Sequence, residues 1–421
     1  MKLNANAIPE GTFLWDFMEH MKDQETAEEF DLWSGLWALA CAVGRRTVVP
    51  RPRAPVYLNM YLALIAESGI VRKSSAIRAA SGLVRAMLLD DDDIMFFDAK
   101  TTPEQLDRLL HTNTERVGCG QVAISISELA TFMGNESYTA GMPALLTDLY
   151  DCPDHRSGPG TIKDGPIDQH NLWVSFIAGS TPTWLLRTVN PAVSEGGFAS
   201  RCLFVNATKP KRTIAWPTPP NKEHEGRKKA AMLMQLREIR EESFHHHGVG
   251  LYDSAMTMFV DWYDRRTPSL DPFIATFEAR EDAHVLRTAA LLAINAGAWE
   301  IHVTHLVAAL QLVNQVKKGA AYVFSHAVDR SRYGFAIELI RTVLMTRGMD
   351  PIPRGMLFRR MSKHLDHTEF VAMLDVLHEC GAIQRFVLKQ DGGPGRPTDY
   401  IRGTKGLMAA GLAEVVVKQL S

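Results

Sequence analysis

Lys73 and Ser74 restart the chain after the apolar run Leu62-Ala63-Leu64-Ile65-Ala66 and the interval Glu67-Ser68-Gly69-Ile70-Val71-Arg72. Lys-Ser opening a helix just after a buried strand is the pattern of a phosphate-binding loop. There backbone N–H groups and the helix N-terminus cradle phosphates, the Lys neutralises charge and the hydroxyl ligates Mg²⁺. The usual spacing is G-x-x-x-x-G-K-[ST]; here the two glycine positions hold Glu67 and Arg72, and Gly69 lies between them. The nucleotide-binding set is therefore Ser68, Gly69, Arg72, Lys73, Ser74 and Ser75. Gly69 is expected to supply flexibility and Arg72 positive charge beside the phosphates, with ATP and Mg²⁺ as ligands. A loop this far from the standard spacing marks a nucleotide site only in company with the other groups that hydrolysis requires.

Hydrolysis at such a loop needs a second acidic centre on a neighbouring strand, to hold Mg²⁺ and polarise water. Val122-Ala123-Ile124-Ser125-Ile126-Ser127-Glu128 supplies one, an apolar strand ending in a carboxylate. Ser74 and Glu128 are the candidate metal ligands. Trp173-Val174-Ser175-Phe176-Ile177-Ala178-Gly179-Ser180-Thr181-Pro182 is a further buried strand with hydroxyls at its carboxyl end, where ligands of open α/β sheets sit, so Ser180 or Thr181 is placed to orient water. Phe198-Ala199-Ser200-Arg201 precedes the apolar Cys202-Leu203-Phe204-Val205. An Arg there is placed to point at a γ-phosphate held by an adjacent subunit.

The elements that must position these groups alternate. Helices are predicted over Thr12–Met21 and Glu28–Val43, then a proline-marked loop, then a strand over the near-continuous apolar run Tyr57–Ala66, as expected of a strand buried on both faces of a parallel sheet. A helix from Lys73 to about Leu89, strands over Ile94–Phe97 and Gln121–Ser127, and a Pro-capped helix from Thr102 complete the first half. Strands alternating with helices imply a three-layer α/β core. The divisions are a helical segment 1–54, a core 55–208, a proline-rich linker and helical lid 209–329, and a unit 330–421. That last unit runs helix, helix, helix, hairpin, the order of a winged helix.

Composition is ordinary for a globular protein: 421 residues, 46% hydrophobic and 22% charged. Five scattered cysteines without C-x-x-C spacing suggest neither a disulfide framework nor a zinc site. No signal-peptide pattern and no bilayer-length apolar run is present, which predicts a cytoplasmic protein with no membrane partner. The net charge of −2 argues against a simple polyanion binder, yet from Arg330 onward Lys and Arg outnumber Asp and Glu by 14 to 9, against 32 to 39 before it. A basic appendage on an acidic body fits nucleic-acid binding. Asp90–Asp93 reads as a solvated turn and His245–His247 as non-ligating, since consecutive residues diverge. Trp33, Trp37 and Trp262 read as core anchors.

In chain order, Lys73-Ser74, Glu128, Ser180-Thr181-Pro182 and Phe198-Ala199-Ser200-Arg201 resemble the nucleotide site of AAA+ ATPases, particularly minichromosome-maintenance-like helicases. The Arg-Lys-Ser loop with Gly-Ser-Thr-Pro and Gly-Phe-x-Ser-Arg is similar to the helicase half of phage and mobile-element primase-helicases. The resemblance spans roughly residues 55–208. It implies an AAA+-like P-loop core and an ATP-dependent DNA helicase or translocase in replication of a phage or mobile element. It further implies a ring, a hexamer, with each ATP shared between neighbours and single-stranded DNA in the pore. In such lids an Arg contacts the phosphates as a second sensor, which assigns that role to Arg287. A hairpin ahead of the sensor strand projects into the pore, which places Lys163, beside the turn signal Asp164-Gly165, against a DNA phosphate. Arg359, Arg360 and Lys363 on one helix and Arg396 in the wing are the remaining DNA-contact candidates. No metal-ligand cluster precedes the core, so a primase would be a separate partner. Two alternatives stay open: a helicase loader or remodelling ATPase using the same site, and a non-hydrolysing DNA-binding protein whose loop has decayed, as Glu67 and Arg72 suggest.

Overall fold

The strands that lack any polar alternation in the sequence form the centre of the first of two compact units. The computed structural model describes residues 7–90, 93–133, 141–158, 167–188, 197–216, 221–269, 272–330, 332–345, 350–362, 365–388 and 398–408. They form two compact units, Met1–Ala321 and Tyr322–Ser421.

The first unit begins with α1 (Phe13–Met21) and α2 (Glu28–Val43), followed by the short antiparallel pair β1 (Val48–Val49) and β2 (Val56–Tyr57). Then come β3 (Tyr61–Ile65), α3 (Lys73–Met87), β4 (Ile94–Phe97), α4 (Pro103–Val117), β5 (Gln121–Ile126), α5 (Ala130–Met133) and α6 (Met142–Leu149). A hairpin of β6 (His155–Gly158) and β7 (Ile167–His170) leads to β8 (Trp173–Ser180), α7 (Pro182–Thr188), α8 (Phe198–Arg201) and β9 (Cys202–Asn206). The main sheet has the order β4-β5-β8-β3-β9 and every neighbouring pair is parallel. This is an α/β core with a five-stranded parallel sheet, consistent with a P-loop-type core.

Strand β3 is buried at every position, and so are β5 and β8. Alternation sends Leu62, Leu64, Ala123, Ile177, Leu203 and Val205 into one core with α2 and α3. Tyr61 and Phe176 project to the other face, where they stack at 4.8 Å and meet Tyr150 and Phe132. Helix α2 is apolar around nearly its whole circumference and correspondingly buried on all sides, so the N-terminal helices cover the sheet as part of one core. Trp33 and Trp37 are fully buried in it, while Trp262 is only half-buried at its margin.

The continuous strand expected over Tyr57–Ala66 divides at Leu58–Met60. There side chains take over from the ladder. Asn59, fully buried, donates to the Tyr150 and Val174 carbonyls at 2.9 and 3.2 Å, and the Met60 N–H donates to Ser175 Oγ at 3.0 Å. The capped start of α4 is as read: Thr102 Oγ1 accepts from the Gln105 N–H at 3.2 Å, and Pro103 occupies the first turn.

After β9 the chain is mostly helical: α9 (Lys222–Glu242), β10 (Gly250–Leu251), α10 (Asp253–Asp264), α11 (Pro272–Glu278), α12 (Glu281–Asn295), β11 (Glu300–Ile301) and α13 (Val303–Arg330). The linker ahead of α9 is pinned to the α1–α2 connection. Lys211 donates to Thr26 Oγ1 at 3.1 Å and pairs with the fully buried Asp31, while Arg212 meets Asp23 at 2.6 Å. Asp93, last of the acidic run, pairs with Arg46; Asp91 and Asp92 lie outside the described residues.

In the second unit, α14 (Arg332–Met345), β12 (Ile352–Pro353), α15 (Arg354–Met361), α16 (His367–Glu379), β13 (Ile383–Leu388) and β14 (Thr398–Gly403) enclose their own apolar cluster. The strands form an antiparallel sheet in the order β12-β14-β13. Strand β12 occupies what the sequence shows only as a Pro-bounded stretch. Among the described residues no helix is long and apolar enough to cross a membrane.

Candidate nucleotide site

Strands β5, β8 and β3 are neighbours, and their register determines what meets at their carboxyl ends. Ile65 lies opposite Ser180, and β5 ends with Ile126 opposite Ala178, so Glu128 follows two residues beyond the carboxyl end of its strand. Lys73 opens α3 just beyond β3. Three groups far apart in sequence thus converge on one edge of the sheet.

Gly179 sits at the centre of this convergence. A Cβ on it would lie 2.6 Å from the Ser127 carbonyl oxygen and 3.7 Å from Lys73 Cε. The Leu129 N–H donates to the Gly179 carbonyl at 2.6 Å, which holds the Ser127-Glu128 segment across the end of β8. Only glycine permits this approach. A glycine one position before the end of a buried strand is the mark of such an approach in the sequence.

Lys73 is nearly buried, and its Nζ donates to the Ala66 carbonyl at 2.7 Å. Burial lowers its pKa, with the carboxylates of Glu128 and Glu67 opposing that shift. The Lys therefore has negative charge near it from both the loop and the neighbouring strand. Ser74 and Glu128 are exposed at the mouth. Hydroxyl and carboxylate oxygens are donors that suit Mg²⁺. Ser68 is exposed and Ser75 half-buried on the same stretch.

Gly69 has φ +79°, in the left-handed region that favours glycine, so it shapes a turn that the loop must make. Its role is a defined backbone conformation in place of the flexibility expected. Arg72 also departs from expectation. Its Nε and Nη2 both lie 3.3 Å from Glu25 Oε2, and its N–H donates to the Glu25 carbonyl at 3.3 Å. The guanidinium is thus drawn to the α1–α2 connection. Glu25 also accepts from the Ile214 N–H at 3.0 Å, and this bond leads the causes that hold its carboxyl below the usual range. One carboxylate so ties the loop to the linker, a role no local pattern in the sequence revealed.

Thr181 Oγ1 accepts from the Trp184 N–H at 3.3 Å and caps α7, which leaves its O–H to donate. Ser180 beside it is buried.

Arg201 and Arg287 are at the other edge. Arg201 precedes β9, whose first residue pairs with Tyr61 at the start of β3. Five residues of strand separate that level from the loop, about 16 Å at 3.3 Å per residue. Arg201 Nη1 donates to the Gly197 carbonyl at 2.8 Å, and Nη2 lies 3.9 Å from Asp151. Burial leads the lowering of its pKa, reinforced by Arg280. Arg280 reaches the same Asp151 carboxylate at 3.1 and 3.4 Å.

Arg287, expected at the phosphates, is a buried structural residue. Its Nε donates to the Tyr57 carbonyl at 2.8 Å, Nη1 to the Tyr150 hydroxyl at 2.6 Å and Nη2 to Asn59 Oδ1 at 3.4 Å. These partners lie at the amino end of β3, so the guanidinium is remote from Lys73 and already engaged. One position ahead of the first turn of the helix stands Arg280, half-buried and paired with Asp151. Of the DNA-contact candidates, Arg359 and Arg360 are exposed on α15; Lys163, Lys363 and Arg396 lie outside the described residues.

The fold is that of an α/β protein whose five-stranded parallel sheet is consistent with a P-loop-type core. No protein-family model and no curated protein matches this chain. Among solved structures it is similar to a full-length MCM homolog from Methanopyrus kandleri, with a TM-score of 0.44 at 15% identity over 73% of this chain and 59% of that one. This chain thus spans less than two thirds of that protein's length.

Proposed function

We propose that this chain is a Mg²⁺-dependent ATPase that moves along or unwinds DNA. The observation that carries the reading is the meeting of Lys73, Glu128 and the Ser180-Thr181 hydroxyls at one edge of three adjacent parallel strands, beside a glycine that lets them approach. Lys73 would exchange its bond to the Ala66 carbonyl for the β- and γ-phosphates. Glu128 is the group to accept a proton from the attacking water, and Thr181 to orient that water through its remaining O–H. Ser74 and Glu128 would hold Mg²⁺, which when bound neutralises charge on the phosphates.

Arg201 and Arg280 cannot reach a nucleotide on their own chain's loop from the opposite edge. Two guanidinium groups sharing one carboxylate there suit an anion presented by a neighbour, which supports a ring, a hexamer, with composite sites. We read the second unit as a winged helix that presents Arg359 and Arg360 to DNA phosphates, and replication of a phage or mobile element as the setting, with a separate primase as partner.

Glu67 favours a second reading, a DNA-binding protein that no longer hydrolyses nucleotide, because its charge acts on Lys73 where phosphates would lie. Calorimetric titration with Mg²⁺-ATP and a steady-state ATPase assay separate the two. The wild type should bind and hydrolyse ATP, and Lys73→Ala should lower hydrolysis by at least about 100-fold. Wild-type turnover in Lys73→Ala would refute the site, and absent nucleotide binding would overturn the ATPase reading in favour of the second.

A further inference from the structure

The β6–β7 hairpin carries a cluster that the nucleotide site does not use. We propose that His155, Asp168 and His170 form a binding site for a divalent transition metal of the zinc class.

The pairing of the two strands makes the cluster. His155 lies directly opposite His170, Arg156 opposite Gln169 and Ser157 opposite Asp168. Because side chains alternate along a strand, His155, Asp168 and His170 share one face, while Arg156 and Gln169 share the other. The second face is locked to α4. Gln169, fully buried, donates through Nε2 to the Asp107 carbonyl at 2.8 Å, and Arg156 Nη1 donates to Asp107 Oδ1 and, at 3.0 Å, to Gln169 Oε1. From the same helix His111 Nδ1 donates to the Asp168 carbonyl at 2.8 Å, fixing the backbone beneath the carboxylate. The outer face therefore stands on a rigid base, as a preorganised ligand set requires.

On that outer face His170 Nε2 is 3.1 Å from Asp168 Oδ2, and His155 Nε2 contacts Asp168 Oδ1. The three ligand atoms lie within 4.8 Å of one another and all three residues are exposed. Zinc bonds to imidazole and carboxylate at about 2.0–2.2 Å, which spaces tetrahedral ligands about 3.3 Å apart. Small side-chain rotations bring the cluster to that spacing. Two imidazoles with one carboxylate select a borderline metal over Mg²⁺, which prefers oxygen alone. Three protein ligands leave a coordination position for water. The site also lies ahead of the amino end of β8, the edge opposite Lys73, so it is distinct from any Mg²⁺ held with a nucleotide. Bound metal would cross-link the two strands of the hairpin at its base.

The test is titration of metal-stripped full-length protein with Zn²⁺ by calorimetry and with Co²⁺ by visible absorption. One equivalent should bind, Co²⁺ should develop the ligand-field bands of a four-coordinate nitrogen/oxygen site, and excess Mg²⁺ should not compete. His155→Ala and His170→Ala should each weaken Zn²⁺ binding at least tenfold and abolish the Co²⁺ bands. Substituting His245, His246 and His247 by Gln should leave both unchanged. Since the ligands are exposed, each variant should melt with the wild type in chelator, which separates lost ligation from misfolding. Binding that survives both His substitutions, or no saturable binding of either ion, overturns the proposal and leaves the cluster a His–Asp–His hydrogen-bonded network.

Discussion

Gly179→Ala is the substitution that tests whether backbone approach at the end of β8 aligns Glu128, the hydrolytic group of the proposed function. The added Cβ would sit 2.6 Å from the Ser127 carbonyl oxygen. Carbon–oxygen contacts settle at about 3.3–3.6 Å, so the Ser127-Glu128 segment has to move by roughly 0.7–1 Å. The obstructing atom is backbone, and no rotamer change relieves it. Overpacking of this kind costs about 1–3 kcal/mol of stability. A displacement near 1 Å of a group acting on water costs about 100-fold in rate. Lys73 and α3 are less affected, with Lys73 Cε at 3.7 Å from the new methyl, an ordinary contact. Gly179→Ala should therefore bind Mg²⁺-ATP within a few-fold of the wild type while its ATPase rate falls by about 10- to 100-fold. Gly82→Ala, in the middle of α3 with nothing within 4 Å of the added carbon, is the control and should be neutral or stabilising by up to about 1 kcal/mol. A Gly179→Ala enzyme that keeps wild-type turnover would refute the placement of Glu128 by this approach.

The two edges of the sheet carry the remaining expectations. Arg201→Ala and Lys73→Ala proteins should each be inactive alone and regain ATPase activity on mixing, since a random equal mixture makes roughly a quarter of its interfaces whole; no recovery would argue against shared sites. Arg287→Ala should lower unfolding stability by on the order of 3 kcal/mol, because it strips partners from the Tyr57 carbonyl, the Tyr150 hydroxyl and Asn59. Denaturant melts would show this, whereas a phosphate sensor would lose activity without losing stability. His284 is fully buried, and burial, with the Arg287 charge adding to it, pushes its pKa down to about 3. Neutral imidazole therefore supports the fold above the unfolded value near 6.5, and that support drains as pH falls toward 3. The loss is about 2 kcal/mol between about pH 7 and about pH 5. His284→Gln should remove this part of the acid sensitivity in paired wild-type and variant melts.

Much of the molecule was legible along the chain because its cues are local. Continuous apolar runs such as Trp173–Ser180 announced buried parallel strands, Thr102-Pro103 announced the start of α4, and Lys73, Glu128 and Thr181 stood just past strands or at a helix start. Gly69 was visible, though its left-handed φ was not. The break at Leu58–Met60 was hidden because the partners of Asn59 and Met60, which are Tyr150, Val174 and Ser175, stand 91 to 115 residues along the chain. Arg72 looked like phosphate-binding charge until Glu25, 47 positions earlier, claimed it. Arg280 and Arg287 are seven residues apart, and only packing shows that Arg287 is buried while Arg280 lies partly exposed beside Arg201.

The sequence by itself determined the main strands and helices of the core, which of those strands have no wet face, and which polar residues stand at their ends. Burial periodicity and turn chemistry act over a few residues and can be read there. Strand order and register, set by packing of whole layers, decided the rest: that Lys73, Glu128 and Ser180 share one edge, that Arg201 lies at the other, and that His155 faces His170 across a hairpin. Such meetings depend on partners outside any local window, so they exist only once the sheet has closed.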